Sequence, residues 1–497
     1  MEIGKALREI EQIEKKLAAV NHASGILLYD GLTAAPRGSA PGRSDTLAWL
    51  AEEEHTLFAN QHVGELLGLL SENINALSSS DAKKVLLLKE RYDKIVNIPV
   101  REYTEYFVLT NESEDVWRKC KEKNDYATFG PYIDRIVAVK KRFASYYDDK
   151  KNPYDVWLNE FERGSSMAVF DDYFSVVKSE LIPLIKEIAG RPTPDVSFLH
   201  GDFPVNLQRE FSADLMNFLG IDTNRCVIGE TEHPFTECLN YYDCRITTHY
   251  HQNNLLASMY SVLHEGGHAI YEMNMGKALY GTILSKASMG IHESQSRFFE
   301  NIIGRSKPFC EYILPVLKKY FKDFVNVNPD MFYHAVNLSK PSLIRIEADE
   351  LTYSMHIIIR YEIERMLFSG EVTQKDLPGI WNSLYKEYLG VDVPNDSSGV
   401  LQDTHWGSGL FGYFPSYSIG SAYSAQILFH MKKSLDIDGL VADGEIRPAV
   451  DWLSDRIYRF GALKTPSELI ESSCGELFNP KYYINYLQAK YCELYKI

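Results

Sequence analysis

The sequence predicts a mainly α-helical protein with a small β-sheet. Apolar residues recur at helical spacings of three and four over most of the 497 positions. The texture changes between about residues 192 and 250, where prolines, glycines and short β-prone pieces appear. We therefore expect a long series of helices with one small sheet near the middle of the chain.

The elements follow in order from these signals. The first helix carries one apolar stripe, formed by Ile3, Leu7, Ile10, Ile13, Leu17 and Val20. Prolines and glycines predict a loop at 34–43, and residues 44–190 are helical in character. The pieces RCVIGE and YYDCRITTHY predict strands within about 192–250. Helical periodicity returns at about 253 and continues to the end, apart from a loop near 391–415.

Composition and charge exclude several classes of protein. The formal charge is −16, with 68 acidic and 52 basic residues and no long basic cluster, which argues against nucleic acid or an anionic membrane as partner. Seven scattered cysteines without a CxxC pair predict free thiols in a reducing compartment. The N-terminal segment interleaves charged and apolar residues, unlike a signal peptide, and no apolar run is long enough to span a bilayer. We expect a cytoplasmic protein.

The segment LLASMYSVLHEGGHAIYEM carries a metal-binding pattern on a predicted helix. His264 and His268 are spaced i, i+4, so both imidazoles lie on one helix face and can bind one cation. Glu265 is turned about 100° away, in the position of a general base beside the metal. Gly266 and Gly267 each cost helix stability of about 1 kcal/mol relative to alanine, which indicates close approach of a backbone or a substrate.

A catalytic zinc site needs a third protein ligand from elsewhere in the chain. Glu272 is excluded, because it lies about 12 Å along the helix axis from His264. A second predicted helix ends at Gly304 and carries Glu293 and Glu300 on one face. Glu293 is the candidate ligand, with Glu300 as a carboxylate that accepts a hydrogen bond from a ligating imidazole. His292 is the rival third ligand.

Six motifs in order resemble the carboxypeptidase Taq family of HExxH metallocarboxypeptidases. Two of them are the HEGGH sequence and an HESQ sequence whose glutamate lies 25 residues after His268. The others are His233-Pro234-Phe235, Asp243-Cys244-Arg245-Ile246-Thr247, Ile344-Arg345-Ile346-Glu347-Ala348-Asp349 and Gly399-Val400-Leu401-Gln402-Asp403-Thr404-His405-Trp406. The resemblance covers the whole chain, except that nothing is transferred onto the loop at 34–43.

The resemblance implies a zincin-like fold of the gluzincin type, with the small sheet beside a deep V-shaped cleft. It also implies a homodimer that removes single residues from the free C-termini of peptides. Residues 1–497 would form a single domain, in which 1–190 flank the cleft. Residues 191–497 would form the catalytic part, with the sheet at about 192–250 and metal-binding helices at about 253–304.

Carried over from the family, Arg345 resembles the residue that binds the terminal carboxylate of the substrate. Arginine suits this role because its planar fork of donors matches a carboxylate bidentately. Arg245 is the rival, and Tyr417 is the expected companion. On spacing alone, Arg345 and Asp349 would instead be a solvated helix pair. Two histidines, His233 and His405, are expected in the cleft, as oxyanion donors or as structural residues.

These residues predict a metal-dependent peptide hydrolysis. One Zn²⁺ per chain, with Co²⁺ or Mn²⁺ as alternatives, would be held by His264, His268 and Glu293. Glu265 would take a proton from the attacking water and deliver it to the leaving amine. A helical oligoendopeptidase would share the metal site without needing a carboxylate clamp. The third hypothesis is a catalytically silent peptide-binding scaffold.

Overall fold

The computed structural model describes residues 2–497, and most of them are helical. The helices in the first half are α1 (Ile3–Thr33), α2 (Ala40–Phe58), α3 (Gln61–Glu72), α4 (Ser79–Asn97), α5 (Val100–Lys123), α6 (Tyr126–Tyr147), α7 (Pro153–Phe161), α8 (Met167–Ala189) and α9 (Val205–Phe218). The prediction of a mainly helical chain is confirmed.

The second half continues in the same way after the sheet. Its helices are α10 (Leu255–Asn274), α11 (Met289–Arg297), α12 (Lys307–Tyr320), α13 (Pro329–Val336), α14 (Tyr353–Ser369), α15 (Leu377–Leu389), α16 (Phe414–Met431), α17 (Ile437–Ala442), α18 (Arg447–Arg456), α19 (Pro466–Cys474) and α20 (Lys481–Tyr495). A π-helical segment, Phe298–Ile303, extends α11 as far as Gly304. Short 3₁₀ segments lie at Arg37–Ser39, Ile74–Ala76, Ser197–Leu199, Lys277–Leu279, Ile283–Ser285, Lys322–Phe324, Arg345–Glu347 and Tyr458–Leu463.

The sheet lies where the sequence predicts it. Within residues 2–497 it has three strands, β1 (Cys226–Glu230), β2 (Thr236–Asn240) and β3 (Asp243–Thr248), in the order β1-β3-β2. β1 pairs with β3 in parallel, and β2 pairs with β3 antiparallel. β2 is therefore an edge strand. The RCVIGE and YYDCRITTHY pieces become β1 and β3, whereas β2 and the helix α9 were not predicted.

The predicted loop at 34–43 is wrong over its second half. A 3₁₀ turn begins at Arg37, and α2 begins at Ala40. Pro41 stands in the first turn of α2, where a backbone N–H has no helical partner and proline is tolerated. Pro41, which was interpreted as part of a loop, therefore lies at the start of a helix.

The expectation of seven free thiols is also wrong at two positions. A disulfide joins Cys238 on β2 to Cys244 on β3. These two residues are direct partners across the antiparallel pair, with Cα atoms 4.0 Å apart. Their separation of six residues in the sequence spans a tight strand-to-strand connection, which brings them face to face. The free cysteines are Cys120, Cys226, Cys310, Cys474 and Cys492.

The apolar side chains form two clusters. The larger cluster runs through the helices from α4 to α20 and includes the buried face of α10. A smaller cluster belongs to α1–α4 and consists of Ala6, Ile10, Leu17, Phe58, Val63, Leu66, Leu67, Leu70, Val85 and Leu88. Within residues 2–497, no helix combines the length and the apolar character that a membrane span requires. The division into a single domain stays a prediction.

Candidate metal centre and active site

Helix α10 presents the two histidines of the HEGGH sequence on one face. The Asn254 side chain caps the helix by accepting a hydrogen bond from Ala257 N. The buried residues of α10 include Met259, Val262 and Ile270. Because these buried residues fix the orientation of the helix, His264 and His268 lie on its opposite face. The centroids of the two imidazole rings are 5.0 Å apart.

Helix α11 brings Glu293 to these histidines. Its Oε2 atom lies 3.8 Å from Nε2 of His264 and 3.7 Å from Nε2 of His268. Bonds of about 2.0–2.2 Å to one tetrahedral ion would place ligand atoms roughly 3.3–3.6 Å apart. The spacing and the chemistry of the donors therefore fit a divalent metal ion. Among residues 2–497, no other group of three His, Cys, Asp or Glu side chains brings its ligand atoms together in this way.

The two helices approach closely because of glycine. A Cβ atom on Gly267 would lie 2.7 Å from the backbone oxygen of Gln295 and 2.8 Å from Cα of Ser296, both on α11. Such distances leave no room for a side chain. The prediction that the glycines permit close backbone approach is confirmed for Gly267, and this approach brings Glu293 to the histidines.

A buried ion network lies behind His264. Nδ1 of His264 is 2.8 Å from Oε2 of Glu300, as expected for a carboxylate that orients a ligating imidazole. Arg297 donates to Glu293 Oε1 at 2.7 Å and to Glu300 Oε2 at 3.1 Å. Burial alone would raise the pKa of Glu300, but Arg297 and His264 outweigh it and lower this pKa to about 2. Glu300 is thus held as a carboxylate.

His292 lies behind His268, on the side away from Glu293. Its Nδ1 atom is 2.6 Å from Nδ1 of His268, and its Nε2 atom is 2.9 Å from Oε1 of Glu272. The Nε2 atom of His268 faces Glu293 instead. The structure therefore brings Glu293, rather than the rival His292, to the converging donors.

Glu265 is buried beside the two histidines, with 6% of its surface exposed. The Thr236 hydroxyl, on β2, lies 2.7 Å from Glu265 Oε2 and 3.0 Å from its backbone oxygen. Burial raises the pKa of Glu265, while His264 and the Thr236 hydrogen bond oppose this effect. A carboxyl with a raised pKa exchanges protons more readily near neutral pH than an ordinary glutamate.

Arg345 lies in the 3₁₀ segment Arg345–Glu347 and is only 7% exposed, which rules out the solvated pair with Asp349. Its Nε and Nη2 atoms both donate to Oδ1 of Asp403, at 3.1 and 2.9 Å. Its Nη1 atom lies 3.3 Å from the Tyr353 hydroxyl. The Asp403 bonds use one N–H of Nε and one of Nη2, so the edge formed by Nη1 and Nη2 keeps hydrogens for a further acceptor.

Tyr417 and His405 lie next to Arg345. The Arg345 guanidinium carbon is 5.2 Å from the centre of the Tyr417 ring, and Nε2 of His405 is 3.2 Å from the Tyr417 hydroxyl. The His405 ring stacks on Phe414 with centroids 4.4 Å apart. Burial lowers the pKa of His405 to about 4, so this histidine is neutral at pH 7. A neutral imidazole and a tyrosine hydroxyl form a polar pair beside the guanidinium.

The remaining predicted residues have other surroundings. Arg245 donates from Nε and Nη2 to the two oxygens of Asp243, each at 2.9 Å, and its guanidinium lies 5.0 Å from the Tyr29 ring centre. These contacts use the same two nitrogens that Arg345 uses for Asp403, so the edge formed by Nη1 and Nη2 of Arg245 also keeps hydrogens. His233 is exposed between β1 and β2, where its backbone oxygen accepts a hydrogen bond from Thr231. Because the His233 side chain is exposed, its surroundings assign it neither the role of an oxyanion donor nor a structural role.

Several residues of the site were not predicted. Arg297 follows Glu293 by four positions and precedes Glu300 by three, so helical spacing alone could have indicated that it bridges them. Asp403 lies within the quoted QDTHW sequence, but nothing local pairs it with Arg345. Thr236 lies on the strand that was missed. For it the sequence offered no signal.

The sequence model of the family described as carboxypeptidase Taq (M32) metallopeptidase matches residues 9–491. The chain belongs to the carboxypeptidase Taq (M32) family. Carboxypeptidase 1 of Bacillus subtilis is 40% identical over 499 residues, and the match covers 100% of both chains. Thermostable carboxypeptidase 1 of Thermus thermophilus is 34% identical, and the match covers 99% of both chains.

Solved structures agree with the family assignment. The M32 carboxypeptidase of Deinococcus radiodurans superimposes with a TM-score of 0.96 at 31% identity, covering 99% of this chain and 100% of that one. The predictions of a mainly helical fold, of membership in the carboxypeptidase Taq family and of metallocarboxypeptidase function are confirmed. The M32 enzyme is thus a hydrolase that acts on peptides and uses a divalent metal ion.

Proposed function

We propose that this M32 enzyme removes single residues from free peptide C-termini with one Zn²⁺ per chain, held by His264, His268 and Glu293. The observation that carries the proposal is the convergence of two histidine Nε2 atoms on one Glu293 oxygen, at 3.7 and 3.8 Å. Two imidazoles and one carboxylate leave a tetrahedral ion with an open position, as catalysis requires. Co²⁺ and Mn²⁺ suit the same donors and are the alternatives.

Glu265 transfers the proton during hydrolysis. When bound, the ion supplies Lewis-acid activation of a water molecule and of the scissile carbonyl. Glu265 accepts the proton that this water loses and delivers it to the leaving amine. Its burial supports this role, because burial raises the pKa of this carboxyl and so makes it a better proton acceptor than an ordinary glutamate. Thr236 holds the carboxylate in place through the 2.7 Å hydrogen bond.

Arg345 binds the terminal carboxylate of the substrate. Asp403 fixes the guanidinium from one side, and the edge formed by Nη1 and Nη2 presents the donors that match a carboxylate. Arg245, the rival, is paired with Asp243 in the same way, but it lies on β3 beside Tyr29 and not beside Tyr417. The Tyr417 hydroxyl lies beside the clamp and donates to the developing oxyanion, with neutral His405 as its partner.

The test is mass spectrometry of one unstructured peptide incubated with metal-loaded enzyme, with a free or an amidated C-terminus. We expect stepwise loss of single residues from the free peptide only. The matched control is the Glu265→Gln variant, which should leave both peptides intact. Internal cleavage of both peptides would make the enzyme an oligoendopeptidase, and absence of cleavage with zinc or cobalt would support the silent scaffold.

The proposal includes a cytoplasmic location and a homodimer. The five free cysteines support the first, and the resemblance to the family supports the second. Light scattering coupled to gel filtration measures the assembly directly, against a chain mass of 56.9 kDa. A monomeric mass at working concentration would contradict the homodimer without affecting the chemistry.

A further inference from the structure

A row of three polar side chains stands behind His268. Nδ1 of His268 lies 2.6 Å from Nδ1 of His292, and Nε2 of His292 lies 2.9 Å from Oε1 of Glu272. The other oxygen of Glu272 accepts a hydrogen bond of 2.8 Å from the Tyr280 hydroxyl. Glu272 and Tyr280 thus end a continuous chain of hydrogen bonds that starts at a proposed metal ligand.

The Glu272 end of this row determines which nitrogen atoms donate and which accept. The Glu272 carboxylate can only accept, so the proton between it and His292 sits on His292 Nε2. A neutral imidazole carries one N–H, and Nδ1 of His292 is therefore the acceptor in its contact with His268. His268 must then carry its proton on Nδ1. Its Nε2 atom keeps a free lone pair, and this is the atom that faces Glu293 at 3.7 Å.

We propose that His292 and Glu272 are positioning residues that hold His268 in the tautomer that binds metal through Nε2. The inference rests on the proposed function, since it takes His268 as a ligand. It adds an asymmetry to the metal centre. His264 is held directly by the Glu300 carboxylate at 2.8 Å, whereas His268 reaches its carboxylate through a second imidazole.

Packing alone would not require this arrangement. The Tyr271 and His292 rings pack edge to face with centroids 5.0 Å apart, and an apolar side chain of similar size at position 292 would preserve that contact. The side chains of His292 and Glu272 remain 24% and 18% exposed, so neither is simply filling the core. An apolar replacement of His292 removes the acceptor at its Nδ1 atom. That acceptor sets the tautomer of His268.

The experiment compares His292→Asn with His292→Leu, two side chains of similar size. The Oδ1 atom of asparagine can accept at the place of Nδ1, whereas leucine cannot. Zinc affinity is measured by competition with a fluorescent chelator, and the visible spectrum of the cobalt-loaded protein reports the geometry of the donors. We expect the leucine variant to bind zinc about 10- to 100-fold more weakly with an altered cobalt spectrum, and the asparagine variant to resemble the unsubstituted protein.

Controls separate this inference from the proposed function. Tyr271→Phe keeps the ring against His292 and should leave zinc affinity unchanged, and thermal unfolding of each variant checks that it is folded. Equal zinc affinity in both His292 variants, or equal loss in both with an intact fold, would overturn the positioning role. Full zinc affinity in His264→Ala would instead overturn the metal site itself.

Discussion

The Thr236 hydroxyl donates a hydrogen bond of 2.7 Å to Oε2 of Glu265 and thereby joins the edge strand β2 to the proposed general base. Since this bond stabilises the carboxylate, its loss should raise the pKa of Glu265 further. We expect Thr236→Val to lower kcat/KM about tenfold at pH 7 and to shift the acid limb of the pH–rate profile to higher pH. Steady-state kinetics over a pH series measure both effects.

The matched control for that variant is Thr248→Val. The Thr248 hydroxyl is buried on β3 and has no hydrogen-bond partner among residues 2–497. The substitution is isosteric and removes no hydrogen bond. If the control shifts the profile as much as Thr236→Val does, the effect comes from disturbing the sheet and not from the bond to Glu265.

Substitutions at the HEGGH sequence should separate binding from chemistry. Glu265→Gln keeps the donors of the metal and loses the base, so metal content should persist while kcat falls by roughly 100-fold or more. His264→Ala removes a donor and should lose both. Elemental analysis of the purified variants, alongside kinetics, checks the contrast. Unaltered activity in the glutamine variant would contradict the role of Glu265.

The Arg345→Lys substitution tests whether Arg345 binds the terminal carboxylate of the substrate. A compact ammonium cannot keep Asp403 and also grip a carboxylate with two parallel bonds. For peptides with a free C-terminus, we expect Arg345→Lys to lower kcat/KM on the order of 100-fold, or roughly 2.7 kcal/mol. Arg245→Lys is the comparison, because Arg245 is paired with Asp243 through the same two nitrogens that Arg345 uses for Asp403. A larger loss in the Arg245 variant would assign the clamp to Arg245.

The two glycines of the metal helix should differ in their tolerance of alanine. In Gly267→Ala the new methyl group meets backbone atoms of α11, so this helix must shift and carry Glu293 away from the histidines. In Gly266→Ala it meets the end of the Leu219 side chain, which can move. We expect Gly267→Ala to weaken zinc affinity by at least tenfold relative to Gly266→Ala. Chelator competition on both proteins decides the matter.

Glu364 should make the stability of the fold depend on pH. It accepts hydrogen bonds from Tyr154, Trp406 and the backbone of Gly412, but burial raises its pKa to about 7. Its unfolded value is about 4.3, so the folded state binds more protons between these two values. The contribution of Glu364 is therefore full below about pH 4.3 and is lost as the pH rises through 7.

Urea denaturation over this pH range measures the effect as a slope. Glu364→Gln cannot titrate, and we expect its free energy of unfolding to fall less between pH 4.5 and 7 than that of the unsubstituted enzyme. All three partners of Glu364 donate to it, so the NH₂ group of glutamine would face a donor and make the variant less stable. The comparison therefore rests on slopes, and identical slopes would contradict the assignment.

Local periodicity accounts for what the sequence could predict at the site. His264 and His268 share a helix, as do Glu293 and Glu300, so spacing alone fixes which side chains lie together. The contact between Arg345 and Asp403 joins residues 58 apart in the sequence, and no local pattern encodes it. The strand β2 was missed because five residues without a buried face carry almost no alternation.

The separate apolar cluster of α1–α4 has a consequence for stability. Helices α1–α4 bury the side chains of this cluster against one another, apart from the larger cluster that includes the buried face of α10. These helices are joined to the rest of the chain at several points: Tyr29 on α1 packs on Phe235 and on the Arg245 guanidinium, and Glu14 accepts a hydrogen bond from Ile283 N. None of the proposed metal ligands belongs to this cluster, so substitutions that loosen its packing should destabilise α1–α4 before they change how zinc is held.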